Sequence, residues 1–139
     1  MPRAALTRAV QFAAGHRYHR PEWSEEENRR AFGECANQPG HGHNYRCEVT
    51  VEGRVDPRTG MVIDLGELDR LLEDEVSGPM DHAFLNDLPE FDAEGRVPTT
   101  ENLARVIWSR IAPRLPADCS LVRVRVHEDR DLWSDYTGE

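Results

Sequence analysis

The sequence predicts an α+β protein with a four-stranded antiparallel sheet and two helices on one face. Segments with alternating apolar and polar residues, typical of half-buried strands, lie towards both ends of the chain. Two segments with helical periodicity lie between them. A helical block flanked by strands is typical of this class, and a length of 139 residues favours one domain over 1–139.

Two strands are predicted in the first half of the chain, where apolar residues recur at every second position. They cover residues 6–17 and about 41–55. Between them, Ser24 and Glu27 form a capping box, in which each residue satisfies an unpaired group at the start of a helix. The box predicts a helical turn that ends near Gly33.

Two helices are predicted in the second half from apolar residues at helical spacing. The first begins at the capping box 64–67 and stops at the Gly-Pro pair 78–79. The segment 80–98 has no periodic pattern and is predicted to be irregular. The second helix begins at Thr99 and ends or kinks at Pro113, because proline removes a backbone donor.

The C-terminal part is predicted to form the last two strands of the sheet. The first covers 121–128, with Val122, Val124 and Val126 facing the core, and the second is a short strand within 132–138. Four strands cannot close a barrel in one chain, so two sheet edges stay open. We therefore expect subunits to associate edge to edge.

The composition excludes several classes of function. The formal net charge is −9, which disfavours binding to nucleic acid or to a membrane surface. All 17 basic residues are arginine, so Schiff-base chemistry and a phosphate-binding P-loop lysine are excluded. The three cysteines, Cys35, Cys47 and Cys119, are too few and sparse for a disulfide framework. Together with the absence of a signal-peptide pattern, they lead us to expect a cytoplasmic protein.

Three histidines have the spacing of a metal site. His16 ends the period-two row of the first strand, and His41 and His43 open the second strand on its inward-facing positions. Imidazoles on an inward face are costly unless a partner satisfies them. Three neutral imidazole nitrogens around one Zn²⁺ would do so and would leave a fourth position open for a substrate.

Cys35 lies six residues before His41 in a loop rich in Gly and Pro, and three interpretations remain open for it. It is a fourth zinc ligand that closes a structural site, a catalytic thiolate with its pKa lowered by the metal, or a plain loop cysteine.

Three further residues are candidates for acid–base or binding roles. Asp81 and His82 are adjacent, and an aspartate can orient a histidine that transfers protons. Glu128 continues the inward row of the predicted last long strand, where a carboxylate must find donors or pay for desolvation. The Glu128 side chain either lies in solvent or binds a ring that offers two adjacent N–H donors.

These residues belong to eight short motifs that follow one another along nearly the whole chain. The motifs are Phe12–His16, Ser24–Asn28, Phe32–Cys35, Gly40–Tyr45, Asp56–Val62, Asp81–Asn86, Pro98–Asn102 and Val124–Glu128. With them, the chain resembles the 6-pyruvoyl-tetrahydropterin synthase / 6-carboxytetrahydropterin synthase family.

The resemblance implies a tunnelling (T-) fold, in which trimers form a barrel, two trimers stack into a homohexamer and active sites lie between subunits. It implies zinc binding by His16, His41 and His43, catalysis by Cys35, Asp81 and His82, and substrate binding by Glu128, Thr99, Thr100 and Glu101. Cys35 would be the general base, with Asp81 and His82 as its proton-relay partners, and Glu128 would anchor the pterin.

The implied reaction is zinc-dependent conversion of 7,8-dihydroneopterin triphosphate to 6-pyruvoyl-tetrahydropterin with elimination of triphosphate. The gap between Cys35 and His41 resembles this branch. One alternative is the 6-carboxytetrahydropterin synthase of the queuosine precursor pathway, which releases acetaldehyde and triphosphate. Another is a non-catalytic pterin-binding or structural zinc protein. Asp129 departs from the threonine usual in the family and adds negative charge beside Glu128.

Overall fold

A computed structural model describes residues 2–93 and 95–139 and has an α+β architecture with one main sheet. Five strands form the sheet in the order β3-β1-β2-β4-β5. Their bounds are β1 Arg3–His16, β2 His41–Arg54, β3 Ala83–Phe84, β4 Cys119–Asp129 and β5 Leu132–Tyr136.

The expected four-stranded antiparallel sheet is wrong in one respect, because β3 adds a fifth strand that runs parallel to β1. Ala83 pairs with Ala14, and Phe84 pairs with Gly15. A strand of two residues is too short to carry a period-two pattern, so no sequence pattern predicted it. The other pairs are antiparallel, as expected.

The β1–β2 pair is in register along its whole length, which brings the C-terminal end of β1 beside the start of β2. His16 lies opposite His41, and Phe12 lies opposite Tyr45 and stacks on it, with ring centroids 5.2 Å apart. Since alternate residues share a face, the inward face of this hairpin carries histidines at one end and core side chains along the rest.

A β-bulge corrects the predicted inward row of β4. The β2–β4 register shifts between Thr50 and Val51, so that Val51 pairs with Leu121 and Val122 is left as the extra residue. Leu121 consequently packs against the core in place of Val122, whereas Val124 and Val126 are fully buried as predicted.

The helices are α1 Glu25–Phe32, α2 Leu65–Leu72, α3 Gly78–Met80, α4 Pro89–Asp92 and α5 Thr100–Ile111. Ser24 and Thr99 cap α1 and α5 by accepting backbone N–H groups at 3.1 Å. Pro79 does not stop the first predicted helix, because a π-helical turn over 73–77 joins α2 to α3. Pro79 then lies in the first turn of α3, where no N–H is required.

The core lies between the inward face of the sheet and the apolar faces of α2 and α5. Its fully buried members include Cys47, Val49, Leu68, Leu72, Leu103 and Ile107. The segment predicted to be irregular contains β3, a 3₁₀ turn over Leu85–Asp87 and α4. No helix among the described residues has the length and apolar character needed to cross a membrane.

Candidate functional site

The three histidines meet at the open end of the β1–β2 hairpin. His16 is fully buried, and His41 and His43 are half-buried on the same face. The Nε2 atoms of His16 and His41 are 3.1 Å apart, and the three ring centroids are separated by 4.6 to 5.0 Å. The predicted period-two alignment therefore brings three imidazoles to one point.

The backbone fixes the protonation of His16. Its Nδ1 lies 2.9 Å from the carbonyl oxygen of Pro98, which can only accept, so Nδ1 carries the hydrogen and Nε2 keeps a free lone pair. Burial lowers the pKa of His16 to about 4. The imidazole is thus neutral near pH 7, and its Nε2 lone pair is directed towards the other two rings.

Glu128 on β4 joins the histidines. Its Oε1 is 2.8 Å from the Nε2 of His43, and its side chain is 12% exposed. The Nε2 of His43 is buried, yet it has no partner in hydrogen-bond geometry among the described residues. One ligand atom from each of His16, His41, His43 and Glu128 lies within 4.8 Å of all the others. This donor set of imidazole nitrogens and a carboxylate oxygen fits a divalent metal ion.

Gly40 lets the chain enter β2 tightly against the end of β1. Its φ is +116°, and a Cβ at this position would lie 2.7 Å from the carbonyl oxygen of His16. A side chain would therefore collide with the backbone of a metal-site residue, and glycine permits the approach that positions His41.

Cys35 lies in a 3₁₀ turn over Gly33–Ala36 and is half-buried. Burial raises the pKa of the Cys35 thiol, and the carboxylates of Glu128 and Glu34 raise it further. The protein's own groups thus oppose the thiolate, so the expected lowering of its pKa requires a bound cation. Cys35 is absent from the four-residue donor group among the described residues, which disfavours its interpretation as a ligand.

Arg17 and Tyr18, which directly follow His16, hold the Cys35 turn in place by hydrogen bonds. The backbone N–H of Tyr18 donates to the carbonyl of Cys35 at 2.8 Å, and the Nε of Arg17 donates to the carbonyl of Ala36 at 2.7 Å. Asn86 in turn binds both backbone groups of Arg17, at 2.9 and 2.8 Å. The position of Cys35 therefore depends on β1 and on the segment after β3.

Asp81 and His82 are fastened to β1 at a single residue, Ala13. The N–H of Ala13 donates to Asp81 Oδ1 at 2.9 Å, and the N–H of His82 donates to the Ala13 carbonyl at 2.6 Å. These bonds accompany a φ of +61° at His82, which is uncommon for a residue with a side chain. The imidazole Nδ1 lies 3.0 Å from Asp81 Oδ2, and the N–H of Ala13 is the main reason why the pKa of Asp81 is lowered.

The Asp81–His82 pair lies at the edge of the sheet, immediately before β3. His82 borders a depression of about 440 Å³ that is also lined by Gly15, Gly42 and Asn44 and by His43 of the candidate metal site. Its side chain is 84% exposed.

Comparison with known proteins bears on this arrangement. A family model described as 6-pyruvoyl tetrahydropterin synthase matches residues 5–139. The chain belongs to this family. The resemblance drawn from the eight motifs is therefore confirmed.

Individual relatives also indicate this family. The 6-pyruvoyl tetrahydrobiopterin synthase of Poecilia reticulata is 44% identical over 135 residues, which are 96% of this chain and 90% of that protein. The solved structure of Caenorhabditis elegans 6-pyruvoyl tetrahydropterin synthase is 34% identical, with a TM-score of 0.91 over 100% of this chain and 98% of that one. An Archaeoglobus fulgidus protein, provisionally described as a 6-carboxy-5,6,7,8-tetrahydropterin synthase, is 37% identical over 68% of this chain and 73% of its own length.

The segment 99–101 of this family member borders the site but uses two of its side chains structurally. Thr99 caps α5, and the buried hydroxyl of Thr100 lies 2.6 Å from the hydroxyl of Ser134 on β5. Glu101 is exposed, and its charge contributes to the raised pKa of Tyr18. Both threonine hydroxyls of the predicted binding segment are therefore already engaged, and Glu101 is its exposed side chain.

Sequence reasoning missed two tyrosines in this site. Tyr18 packs edge-on against His16 at 5.0 Å, and its pKa is raised by burial and by the charges of Glu128 and Cys35. Tyr45 is buried, and its hydroxyl lies 3.0 Å from His16 Nδ1. Both continue the period-two rows that contain the histidines, and that parity was the available signal.

Proposed function

We propose that this chain is a zinc-dependent 6-pyruvoyl-tetrahydropterin synthase that eliminates triphosphate from 7,8-dihydroneopterin triphosphate. The observation that carries the proposal is the convergence of His16, His41 and His43 beside Glu128 and the Cys35 turn. Relatives with this activity in their names align with nearly the whole chain, which supports the pyruvoyl product over the carboxy product.

Zinc is the metal that we infer for the donor group. Three imidazole nitrogens suit the tetrahedral preference of zinc and leave a fourth position open for the substrate, and zinc has no redox chemistry to interfere with a reduced pterin. When bound, Zn²⁺ would supply Lewis acidity that polarises the side-chain oxygens of the substrate. The neutral state of His16, set by the Pro98 carbonyl, keeps its Nε2 available for this purpose.

The chain's own residues would carry out the proton transfers. Cys35, as a thiolate, takes a proton from a side-chain carbon of the substrate, and the C–O bond to the triphosphate then breaks. His82 returns a proton to the product, and Asp81 holds the His82 ring in the orientation required. Glu128 anchors the pterin by accepting hydrogen bonds from two adjacent N–H groups of its ring, with the segment 99–101 beside it.

The exposure of His82 supports an active site shared between subunits. Since its side chain is 84% exposed beside the edge strand β3, we infer that it serves the Cys35 of a neighbouring copy. The outer edges of β1 and β5 offer unpaired backbone groups for joining sheets. We propose the T-fold assembly on this basis, with trimeric barrels stacked into a homohexamer. Three unpaired cysteines are consistent with a cytoplasmic location, which we also propose.

The deciding experiment is incubation of the zinc-loaded protein with 7,8-dihydroneopterin triphosphate, followed by identification of every product. We expect triphosphate and 6-pyruvoyl-tetrahydropterin without acetaldehyde. Acetaldehyde together with 6-carboxytetrahydropterin would assign the chain to the carboxy branch. Absence of any turnover in a protein that binds both zinc and pterin would indicate a binding protein.

The matched variant is Cys35→Ala, measured for both turnover and metal content. We expect turnover to be lost while the zinc content is retained, because the proposed general base does not belong to the donor group. Loss of zinc in this variant would instead make Cys35 a ligand and the site structural.

A further inference from the structure

We propose that Tyr18 is a substrate-binding residue whose hydroxyl donates a hydrogen bond to the edge of the dihydropterin ring. The edge in question runs from the two N–H groups bound by Glu128 to the ring carbon that carries the side chain. The inference rests on the pterin substrate of the proposed function and adds one contact to the binding of that substrate.

The ring of Tyr18 is fixed on two sides. It packs edge-on against the ring of His16, with centroids 5.0 Å apart, and edge-on against Phe32 at the end of α1, at 5.8 Å. The backbone N–H of Tyr18 donates to the carbonyl of Cys35 at 2.8 Å. The ring is therefore in position before a substrate arrives, and little side-chain entropy is lost when its hydroxyl binds one.

The hydroxyl of Tyr18 has no role in this packing. Tyr18 is half-buried, and within residues 2–93 and 95–139 its hydroxyl makes no hydrogen bond, whereas the hydroxyl of Tyr45 lies 3.0 Å from His16 Nδ1. A phenylalanine would pack in the same way without a polar atom to desolvate. The partner of this hydroxyl is therefore to be sought in a bound molecule.

Three acidic groups surround the Tyr18 side chain. Burial raises the pKa of Tyr18, and the charges of Glu128, Cys35 and Glu101 raise it further. Glu128 is the proposed anchor of the pterin ring, and Cys35 is the proposed base at its side chain. The phenol is therefore protonated and can donate, and it lies where the ring and the side chain of a bound substrate would meet.

The substrate offers hydrogen-bond acceptors along this edge. In a 7,8-dihydropterin, the two N–H groups that a carboxylate can bind adjoin the ring carbonyl. The imine nitrogen then lies between that carbonyl and the carbon that bears the side chain. The carbonyl oxygen and the imine nitrogen both accept hydrogen bonds, which the carboxylates of Glu128 and Glu101 cannot supply. A hydroxyl between Glu128 and Cys35 complements this edge.

Tyr18→Phe is the test, because it removes the hydroxyl and keeps the ring. The matched control is Tyr136→Phe on β5, where the tyrosine is also half-buried and packs edge-on against Trp108 at 5.4 Å. We expect the Kd of 7,8-dihydroneopterin, measured by fluorescence titration of the zinc-loaded protein, to rise at least about fivefold in Tyr18→Phe and less than about twofold in Tyr136→Phe. Equal affinities of the two variants would overturn the proposal.

Zinc content and thermal unfolding separate substrate binding from a structural role. Phenylalanine keeps the ring contacts to His16 and Phe32, so we expect the zinc content of Tyr18→Phe and its Tm to equal those of the control. Weaker pterin binding that is accompanied by loss of zinc or by a lower Tm would show that the hydroxyl acts through the fold, and would refute a direct contact.

Steady-state kinetics gives a further readout. A contact made equally in the ground state and the transition state affects binding alone, so we expect the KM of Tyr18→Phe to rise at least about fivefold and its kcat to stay within about twofold of the wild type. A lower kcat with an unchanged KM would contradict a contact to the bound substrate.

The binding measurement is separable from the proposed function, because 7,8-dihydroneopterin has no triphosphate to eliminate. Turnover by the wild type with unchanged dihydroneopterin affinity in Tyr18→Phe would refute the contact and leave the enzyme assignment intact. Weaker binding in the variant with no turnover by the wild type would support the contact and refute the assignment. A wild type that does not bind dihydroneopterin at all would overturn the contact, because it is assigned to the ring.

Discussion

The proposal of an active site shared between subunits makes a quantitative prediction for mixtures of two inactive variants. Cys35→Ala removes the proposed base, and His82→Ala removes the proposed acid, which is exposed at the edge of the sheet. Each variant alone should be inactive, because every site lacks one of the two groups. In a co-expressed mixture, some sites take Cys35 from one copy and His82 from the other and are complete.

The size of the recovery follows from random assembly. At equal amounts, a site receives an intact Cys35 with a probability of about one half and an intact His82 from its neighbour with the same probability. About one quarter of all sites should therefore be wild type. Steady-state turnover, normalised to total protein, would reach about 25% of the wild-type rate if all sites act independently.

A second mixture provides the control. Cys35 and Glu128 interact within one chain, since the Glu128 charge contributes to the raised pKa of the Cys35 thiol. Cys35→Ala and Glu128→Gln therefore damage the same half of the site, and no combination of these copies restores it. Recovery of turnover in this control mixture would refute a site divided between subunits as described. Turnover in the first mixture that does not exceed the sum of the two parent variants would refute it as well.

Three further predictions concern single features of the site. Asn86→Ala removes both hydrogen bonds to the Arg17 backbone, and we expect kcat to fall about tenfold because the Cys35 turn shifts. Steady-state kinetics measures kcat, and metal analysis should find zinc retained. An unchanged kcat would show that these hydrogen bonds do not position Cys35. Metal removal should slow alkylation of Cys35 by iodoacetamide at least about tenfold, because burial and nearby carboxylates raise the pKa of its thiol. Peptide mass spectrometry measures alkylation at each cysteine and should find the rate at Cys119 unchanged. Equal slowing at both cysteines would argue against a local effect of the metal on Cys35. The pKa of His16 is about 4, against 6.5 ordinarily, so the unfolded chain binds more protons between these values. The metal-free protein should therefore keep its stability above pH 6.5, and its free energy of unfolding should fall by roughly 2–3 kcal/mol as the pH falls towards 4. Urea denaturation of the wild type and of His16→Asn at each pH measures this change. Equal pH dependence of stability in the two proteins would contradict the prediction.

Local patterns were sufficient to predict most of the fold. The capping boxes located the starts of α1 and α2, the Thr99 cap located the start of α5, and the period-two rows located β1, β2 and β4. These signals are local because they depend on residues within one or two turns or on alternate strand positions. The misplaced elements have non-local causes. The fifth strand β3 exists because β1 offers an edge to it, and Val122 leaves the core because of a bulge against β2.

The site divides in the same way. Strand parity was enough to place His16, His41 and His43 on one face, and Glu128 on the inward side of β4. The contact between Glu128 and His43, and the Pro98 carbonyl that fixes the His16 proton, required the folded chain. Both join residues that are distant in sequence, and no local pattern encodes such a distance.

The sequence by itself determined the family, the candidate metal-binding residues and the face on which they lie, because motif order and strand alternation are properties of the chain. The tertiary structure decided which groups meet. It set Glu128 among the histidines and brought its charge within the influence of Cys35, and it left His82 exposed at the edge of the sheet. The physical reason is that alternation fixes the direction of a side chain relative to its own strand, whereas meeting depends on how separate strands and loops pack.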